Sequence, residues 1–192
     1  MDVIDALCKR RSIRRFQDIP IPEGTLSALV EAARFYPSGG NMQPVRFAMV
    51  TEKETLDSVF ANLKWAMYLP DFQIEPWQRP KAYILLLTDQ NVKRDPMFDV
   101  GAAAQSIMLG AMQFGLSSCC LGITRKDEIR DVLGIGPRYA PVVAIALGYA
   151  GQASEAVAYH GTFSYTQTDG GDLRVPKYAL EDVLLFSDGR EG

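Results

Sequence analysis

Between Val100 and Thr124 the chain runs for 25 residues without a charged side chain. A run of that length must leave water, either in a bilayer, where about 20 apolar residues suffice to span, or in the core of a globular protein. Gln105, Ser106, Gln113, Ser117 and Ser118 are a poor match to lipid, and Gly115-Leu116 marks a break. The run therefore reads as a buried helix over about 97–115 in a dimeric globular protein, followed by a short strand over 117–123. No membrane association is expected.

Other segments follow the same logic. Leu26, Leu29, Val30 and Ala33 keep the i, i+3, i+4, i+7 spacing of a helix with one buried face. That helix should end at Tyr36-Pro37. Residues 2–10 suit a short helix, and 53–63 a further one. RFAMVT (46–51), KAYILLLTD (81–89) and APVVAIALGYA (140–150) read as strands; the second is apolar throughout, as a strand covered on both faces must be. Thr124 is an N-cap candidate for a helix to Leu133. Residues 70–80, with three prolines, read as a loop, and 151–172 as a polar, glycine-rich stretch. A short helical or extended tail follows over 180–186. The expected class is α+β, one domain over 1–192, with helices on both faces of a small sheet.

Composition removes several functions. A net charge of −3 is the wrong sign for a general nucleic-acid surface, so no nucleic acid is expected as a partner. Cys8, Cys119 and Cys120 form no CxxC pair, so neither a disulfide framework nor a zinc site is indicated. His160 is the only histidine, which argues against a histidine metal cluster and a Ser-His or Cys-His triad. If the chain is an enzyme, its reactive chemistry belongs to a cofactor. The start, MDVIDALCKRR, carries acids and lacks the apolar core of a secretory leader, so a cytoplasmic location is expected.

Three stretches remain that could carry a ligand. In KRRSIRRF (9–16), extended backbone would set Arg10, Ser12 and Arg14 on one side and Arg11, Ile13 and Arg15 on the other. Guanidiniums and a hydroxyl converging in this way suit a phosphate, although a solvated basic patch has the same sequence. PSGGNMQPVRF (37–47) has more glycine and amide than a turn requires: Asn41 and Gln43 both donate and accept, as the edge of a flat heterocycle demands. In SSCCLGIT (117–124), Gly122 permits a ligand to lie against backbone N–H groups; tight packing is the plainer explanation. Together the three describe a site for a flat, phosphorylated, partly apolar ligand such as FMN.

RRSIRRF, PSGGNMQPVRF and DVGAAAQSIMLGAMQFGLSSCCLGI also resemble, in that order, three signatures of the nitroreductase family, and VPKYALEDV (175–183) is similar to a fourth in its compact members. The resemblance implies a three-layer fold with a mostly antiparallel sheet and an intertwined homodimer, with the segment from about 160 to 192 extending onto the partner. It also implies FMN reduced by NADH or NADPH, and ping-pong hydride transfer through flavin N5 to a small acceptor such as a nitroaromatic or quinone. It assigns Arg10, Arg11, Ser12 and Arg14 to the phosphate and ribityl chain, together with Lys177. It assigns Pro37, Ser38, Gly39, Asn41 and Gln43, from the partner subunit, to the flavin ring, and the backbone of Leu121, Gly122 and Ile123 to the region near N5.

Two positions depart from the pattern. Tyr178 stands where compact relatives carry Arg, a role Arg174 could take, and Val45 follows the loop proline where many members have an aromatic. Trp65, Tyr68, Phe72 and Trp77 are candidates for an entry channel, although packing accounts for them as well. Two other functions stay open: an FMN enzyme of reductive dehalogenation or flavin breakdown, and a flavin-binding protein without NAD(P)H turnover.

Overall fold

The computed structural model describes residues 2–92 and 95–189. At its centre lies an antiparallel sheet of β1 (Val45–Val50), β2 (Ala82–Asp89), β3 (Ser117–Gly122) and β4 (Tyr139–Gly148), ordered β1-β2-β4-β3. β2 is buried at every position, which explains its unbroken apolar sequence. Alternate residues face opposite layers. Ile84, Leu86, Ile145 and Leu147 pack with α2 (Thr25–Ala33) and α4 (Met97–Gln113). Tyr83, Leu85, Leu87, Ala144 and Ala146 face α3 (Lys53–Ala61), α5 (Lys126–Leu133) and the segment that carries Ile13 and Phe16. The result is the expected three-layer arrangement.

The uncharged run resolves into α4, a break and β3. Gly115 takes φ 68°, its N–H donates to Met112 O at 3.0 Å, and the Leu116 N–H donates to Ala111 O at 3.0 Å. This is a Schellman closure, in which the glycine adopts the left-handed turn and Leu116 re-enters the core. No helix among the described residues is long and apolar enough to cross a membrane. In β4, Pro141 has no N–H to give, and the register with β2 slips there: Leu86 faces Val143, whereas Leu87 faces Pro141.

Two expectations need correction. Arg125, not Thr124, caps α5, because the Thr124 N–H and Oγ1 both donate to Asn62 O, at 3.0 and 2.9 Å. The stretch read as polar loop carries two strands, β5 (Ser154–Ala158) and β6 (Thr166–Gln167), which join β7 (Leu173–Lys177) in a second small sheet, β5-β7-β6. Short strands with few apolar residues lack the alternation that marks a half-buried strand. Helix α1 (Val3–Lys9) precedes the core, and α6 (Leu180–Val183) opens the tail.

Candidate cofactor site

The basic segment leaves α1 extended and lies along β3, with Ser12 bridged to Ser118 and the Ile13 N–H donating to Ser118 O at 3.0 Å. Ile13 and Phe16 anchor it in the core. Gln152 holds the next peptide groups: its Oε1 accepts from the Arg14 and Arg15 N–H groups at 3.2 and 2.7 Å, and its Nε2 donates to Gly171 O at 3.1 Å. With the backbone fixed, Arg10, Ser12 and Arg14 gather around Cys119. Ser12 and both guanidiniums favour the ionised form of the Cys119 thiol. Burial outweighs these effects and raises the thiol, as it does at Cys120, so neither cysteine is primed as a nucleophile. Arg11 donates to the Arg10 carbonyl at 2.6 Å. Arg15 turns away, donating to Gln73 O at 3.2 Å and stacking over Phe72 at 4.8 Å.

The charges in this cluster are distinguished by their burial. Lys9, Arg34, Arg46, Lys53, Arg79, Lys81, Arg130, Arg138 and Arg174 each pair with a carboxylate. Among the described residues Arg10, Arg11 and Arg14 have no such partner; nor have Arg15, Lys64, Arg125, Lys126 and Lys177, but the last four are exposed, whereas the three arginines lie half-buried together. Burial lowers the Arg10 guanidinium first, and the neighbouring Arg11 charge lowers it further. Arg14 lies 4.5 Å over the Tyr165 ring, and its buried Nε has no hydrogen-bond partner among the described residues. A buried donor left this way costs about 1–3 kcal/mol. A cleft of about 320 Å³ opens beside Arg10 and Arg11, lined also by Lys9, Gln152 and Ser154. Half-buried cations with donors to spare fit a bound anion.

At the end of β3, Leu121 is buried and Ile123 half-buried, while Gly122 is exposed, with nothing within 4 Å of where a Cβ would stand. The segment after α3 crosses this turn: the Lys64 N–H donates to Gly122 O at 3.3 Å, and Leu63 bridges Ile123. Nearby, Asn62 Oδ1 and Trp65 Nε1 are buried without partners among the described residues, and Ala66 sits at φ 40°. An alanine in that region is strained by about 1–3 kcal/mol. Sequence reading missed Asn62, Leu63, Lys64 and Ala66 as site residues and named Trp65 only as a channel candidate, because they reach the turn through backbone pairing some 60 positions away and carry no local motif.

The amide-rich loop has a comparable peculiarity. Gly40, Asn41 and Gln43 take φ 61°, 54° and 47°. Glycine and asparagine tolerate this, glutamine far less. Gln43 is nonetheless held: its N–H donates to Ser38 Oγ at 2.9 Å and its carboxamide to Asn41 Oδ1 at 2.9 Å. Pro37, Gly39, Asn41 and Gln43 are exposed, whereas Ser38 is half-buried and donates its proton to Asp99.

One chain does not bring all these residues together. The clamp and the Gly122 turn share the β3 edge, whereas the loop precedes β1 at the opposite edge, roughly 14 Å away across three strand spacings. Lys177 ends β7 opposite Ala158 and lines a separate hollow with Tyr159 and Tyr178. Arg174 is paired to Glu155 at 2.9 Å. Of the aromatics, Tyr68 meets Tyr165 beneath Arg14, with ring centres 5.2 Å apart, and Trp65 lies by the turn; exposed Trp77 lines another cleft beside Arg79 and Asp57.

A three-layer α+β fold carries half-buried cations along one sheet edge and an exposed glycine at the end of the same strand. The nitroreductase family model matches residues 7–149, which include the clamp, the loop and the turn. The chain belongs to the nitroreductase family, a family of oxidoreductases. A Methanothermobacter thermautotrophicus protein provisionally named NADH dehydrogenase/NAD(P)H nitroreductase is 29% identical over 156 residues, covering 78% of each chain. A 4-nitrobenzoate reductase of a Nocardioides species is 26% identical over 213 residues, 84% of this chain and 86% of its own. Among solved structures, an FMN-dependent nitroreductase of Clostridium difficile superposes with a TM-score of 0.68 at 25% identity, covering 83% of this chain and 92% of that one.

Proposed function

We propose that this chain is an FMN-dependent oxidoreductase that passes hydride from NADH or NADPH to a nitroaromatic, a quinone or a similar small acceptor. The observation that carries this reading is the half-buried cluster of Arg10, Arg11 and Arg14, which has no carboxylate partner among the described residues and includes an unsatisfied Arg14 Nε. A phosphate monoester fits it, since guanidinium offers paired donors to phosphate oxygens. The names of the relatives support the donor and acceptor classes, and that of the Clostridium difficile structure supports FMN.

Within this reading Arg10, Arg11, Ser12 and Arg14 hold the phosphate and ribityl chain, and Lys177 joins them from the C-terminal segment. Gly122, open above its backbone, would admit the ring to the turn, and the N–H groups of Leu121, Gly122 and Ile123 would supply fixed donors that favour developing negative charge on the flavin. Bound FMN supplies reversible hydride acceptance at N5, so that donor and acceptor use one site in turn. Pro37, Ser38, Gly39, Asn41 and Gln43 come from a second copy, because their own chain sets them across the sheet. The working unit is thus a homodimer. Exposed Leu180, Val183, Leu184, Leu185 and Phe186 supply apolar surface for the C-terminal segment to cover its partner. Residues 190–192 of that segment lie outside the described residues. Three free cysteines accord with work in the cytoplasm.

The test is the visible spectrum of the purified protein without oxygen, before and after NADH or NADPH. A flavin spectrum that bleaches supports the reading. A spectrum that persists with both donors overturns the NAD(P)H step, and a colourless protein that takes up no FMN overturns the cofactor.

A further inference from the structure

The same residue of the amide loop is gripped from both sides. The Gln43 N–H donates to Ser38 Oγ at 2.9 Å, and the Gln43 carbonyl accepts from Arg46 Nη1 at 2.8 Å. Behind each grip stands a buried carboxylate from a different element. Ser38 gives its proton to Asp99 of α4, which is 1% exposed. Arg46 reaches Asp89 Oδ2 at 3.4 Å, and Asp89, at the end of β2, is fully buried. Asp89 is itself locked, by Arg138 at 2.9 and 2.6 Å and by the Asn91 N–H at 3.1 Å.

Three consequences follow from this geometry. Both peptide groups of Gln43 are fixed, so a glutamine is held at φ 47°, where few would settle unaided. Its side-chain amide already donates to Asn41 Oδ1 and O, so the direction of the carboxamide is set as well. The Ser38 hydroxyl has spent its proton on Asp99 and one lone pair on Gln43, which leaves the side chain no donor for a ligand.

We propose that Arg46 and Ser38, backed by Asp89 and Asp99, are positioning residues that act through Gln43, holding its carboxamide in the one orientation that meets the flavin edge. This rests on the reading above that Gln43 faces FMN. It changes the part of Ser38, which steers the loop and does not touch the cofactor. It also gives a use to Arg46, whose guanidinium grips the Gln43 and Val45 carbonyls and Asp89 together.

The experiment measures the reduction potential and visible band positions of the FMN-loaded protein for Gln43→Ala, Arg46→Ala, Ser38→Ala and the double variant Arg46→Ala with Gln43→Ala. Thermal unfolding of each confirms folding. Gln43→Ala is expected to shift the potential, and Arg46→Ala and Ser38→Ala to shift it in the same sense by a large part of that amount. Adding Arg46→Ala to Gln43→Ala is expected to shift it no further, because the route runs through Gln43. Arg46→Lys, which keeps the charge, is expected to recover part of the shift. If Arg46→Ala does not load FMN, Ser38→Ala decides by the same cycle. Full additivity in the double variant, or an unchanged potential in both single positioning variants while Gln43→Ala moves it, overturns the proposal. An unchanged potential in Gln43→Ala removes the loop from the flavin, and with it the underlying assignment.

Discussion

Arg14 shows how much one side chain is asked to do. Its N–H is held by Gln152, its guanidinium lies over Tyr165, and its Nε is buried without a partner among the described residues. A charge-assisted hydrogen bond is worth about 1.5–3 kcal/mol. Arg14→Ala should therefore weaken FMN binding roughly ten- to a hundredfold, read by flavin fluorescence titration; unchanged affinity removes it from the clamp. Asp89 makes a prediction of a different kind. The Arg138 hydrogen bond above all, with the Asn91 N–H and the charges of Arg138 and Arg46, holds its carboxyl down at about 2 against the opposing effect of burial. A carboxylate depressed in the folded state contributes stability that is complete above its unfolded pKa, about 3.9, and is lost as pH falls through the folded value. Denaturant midpoints should therefore drop between about pH 4 and pH 2 in the native protein. Asp89→Asn should be weaker at neutral pH and should lack that share of the acid loss.

At the scale of elements, the clamp is an extended segment with only isolated bridges to its neighbours, reinforced by a side chain. Gln152 Oε1 accepts from two successive peptide groups and its amide donates to Gly171, so one glutamine joins the basic segment to the turn before β7. Gln152→Ala leaves those N–H groups without an acceptor in a half-buried place, at a cost of about 1–3 kcal/mol. Amide exchange at Arg14 and Arg15 should quicken far more than at β2, and FMN affinity should fall with it. Equal exchange would mean that Ile13, Phe16 and the backbone bridges hold the segment without Gln152. Elements differed in how plainly the sequence announced them. α4 and β2 were legible, because a long uncharged run and an unbroken apolar strand each have few ways to leave water. β5 and β6 were not, since short polar strands acquire their pairing from neighbours and show no period of their own.

For the whole molecule, the sheet order decides what one chain can do alone. With the loop at the β1 edge and the clamp at the β3 edge, a complete site of the proposed kind needs two copies. The exposed tail from Leu180 to Phe186, with Leu185 at 93% and Phe186 at 80%, is costly to leave in water. Sedimentation should give twice the mass of the chain, and removal of the segment after Lys177 should weaken self-association and FMN retention together. A monomer that retains FMN would overturn the shared site.

By itself the sequence determined the layers. It also pointed, in a chain with one histidine, to a cofactor as the source of any reactive chemistry. These are local matters: hydrophobic period, uncharged length and residue type act over a few turns of chain. Tertiary structure alone decided that Arg174 is taken by Glu155, that Asn62–Ala66 crosses the Gly122 turn, and that Ser38 and Arg46 converge on Gln43 from two buried aspartates. The contacts with Glu155, the Gly122 turn, Asp99 and Asp89 join residues 19 or more positions apart in the chain. No local pattern encodes them, because their free energy arises only when the folded sheet removes the charges and amides from water and leaves them one another as partners.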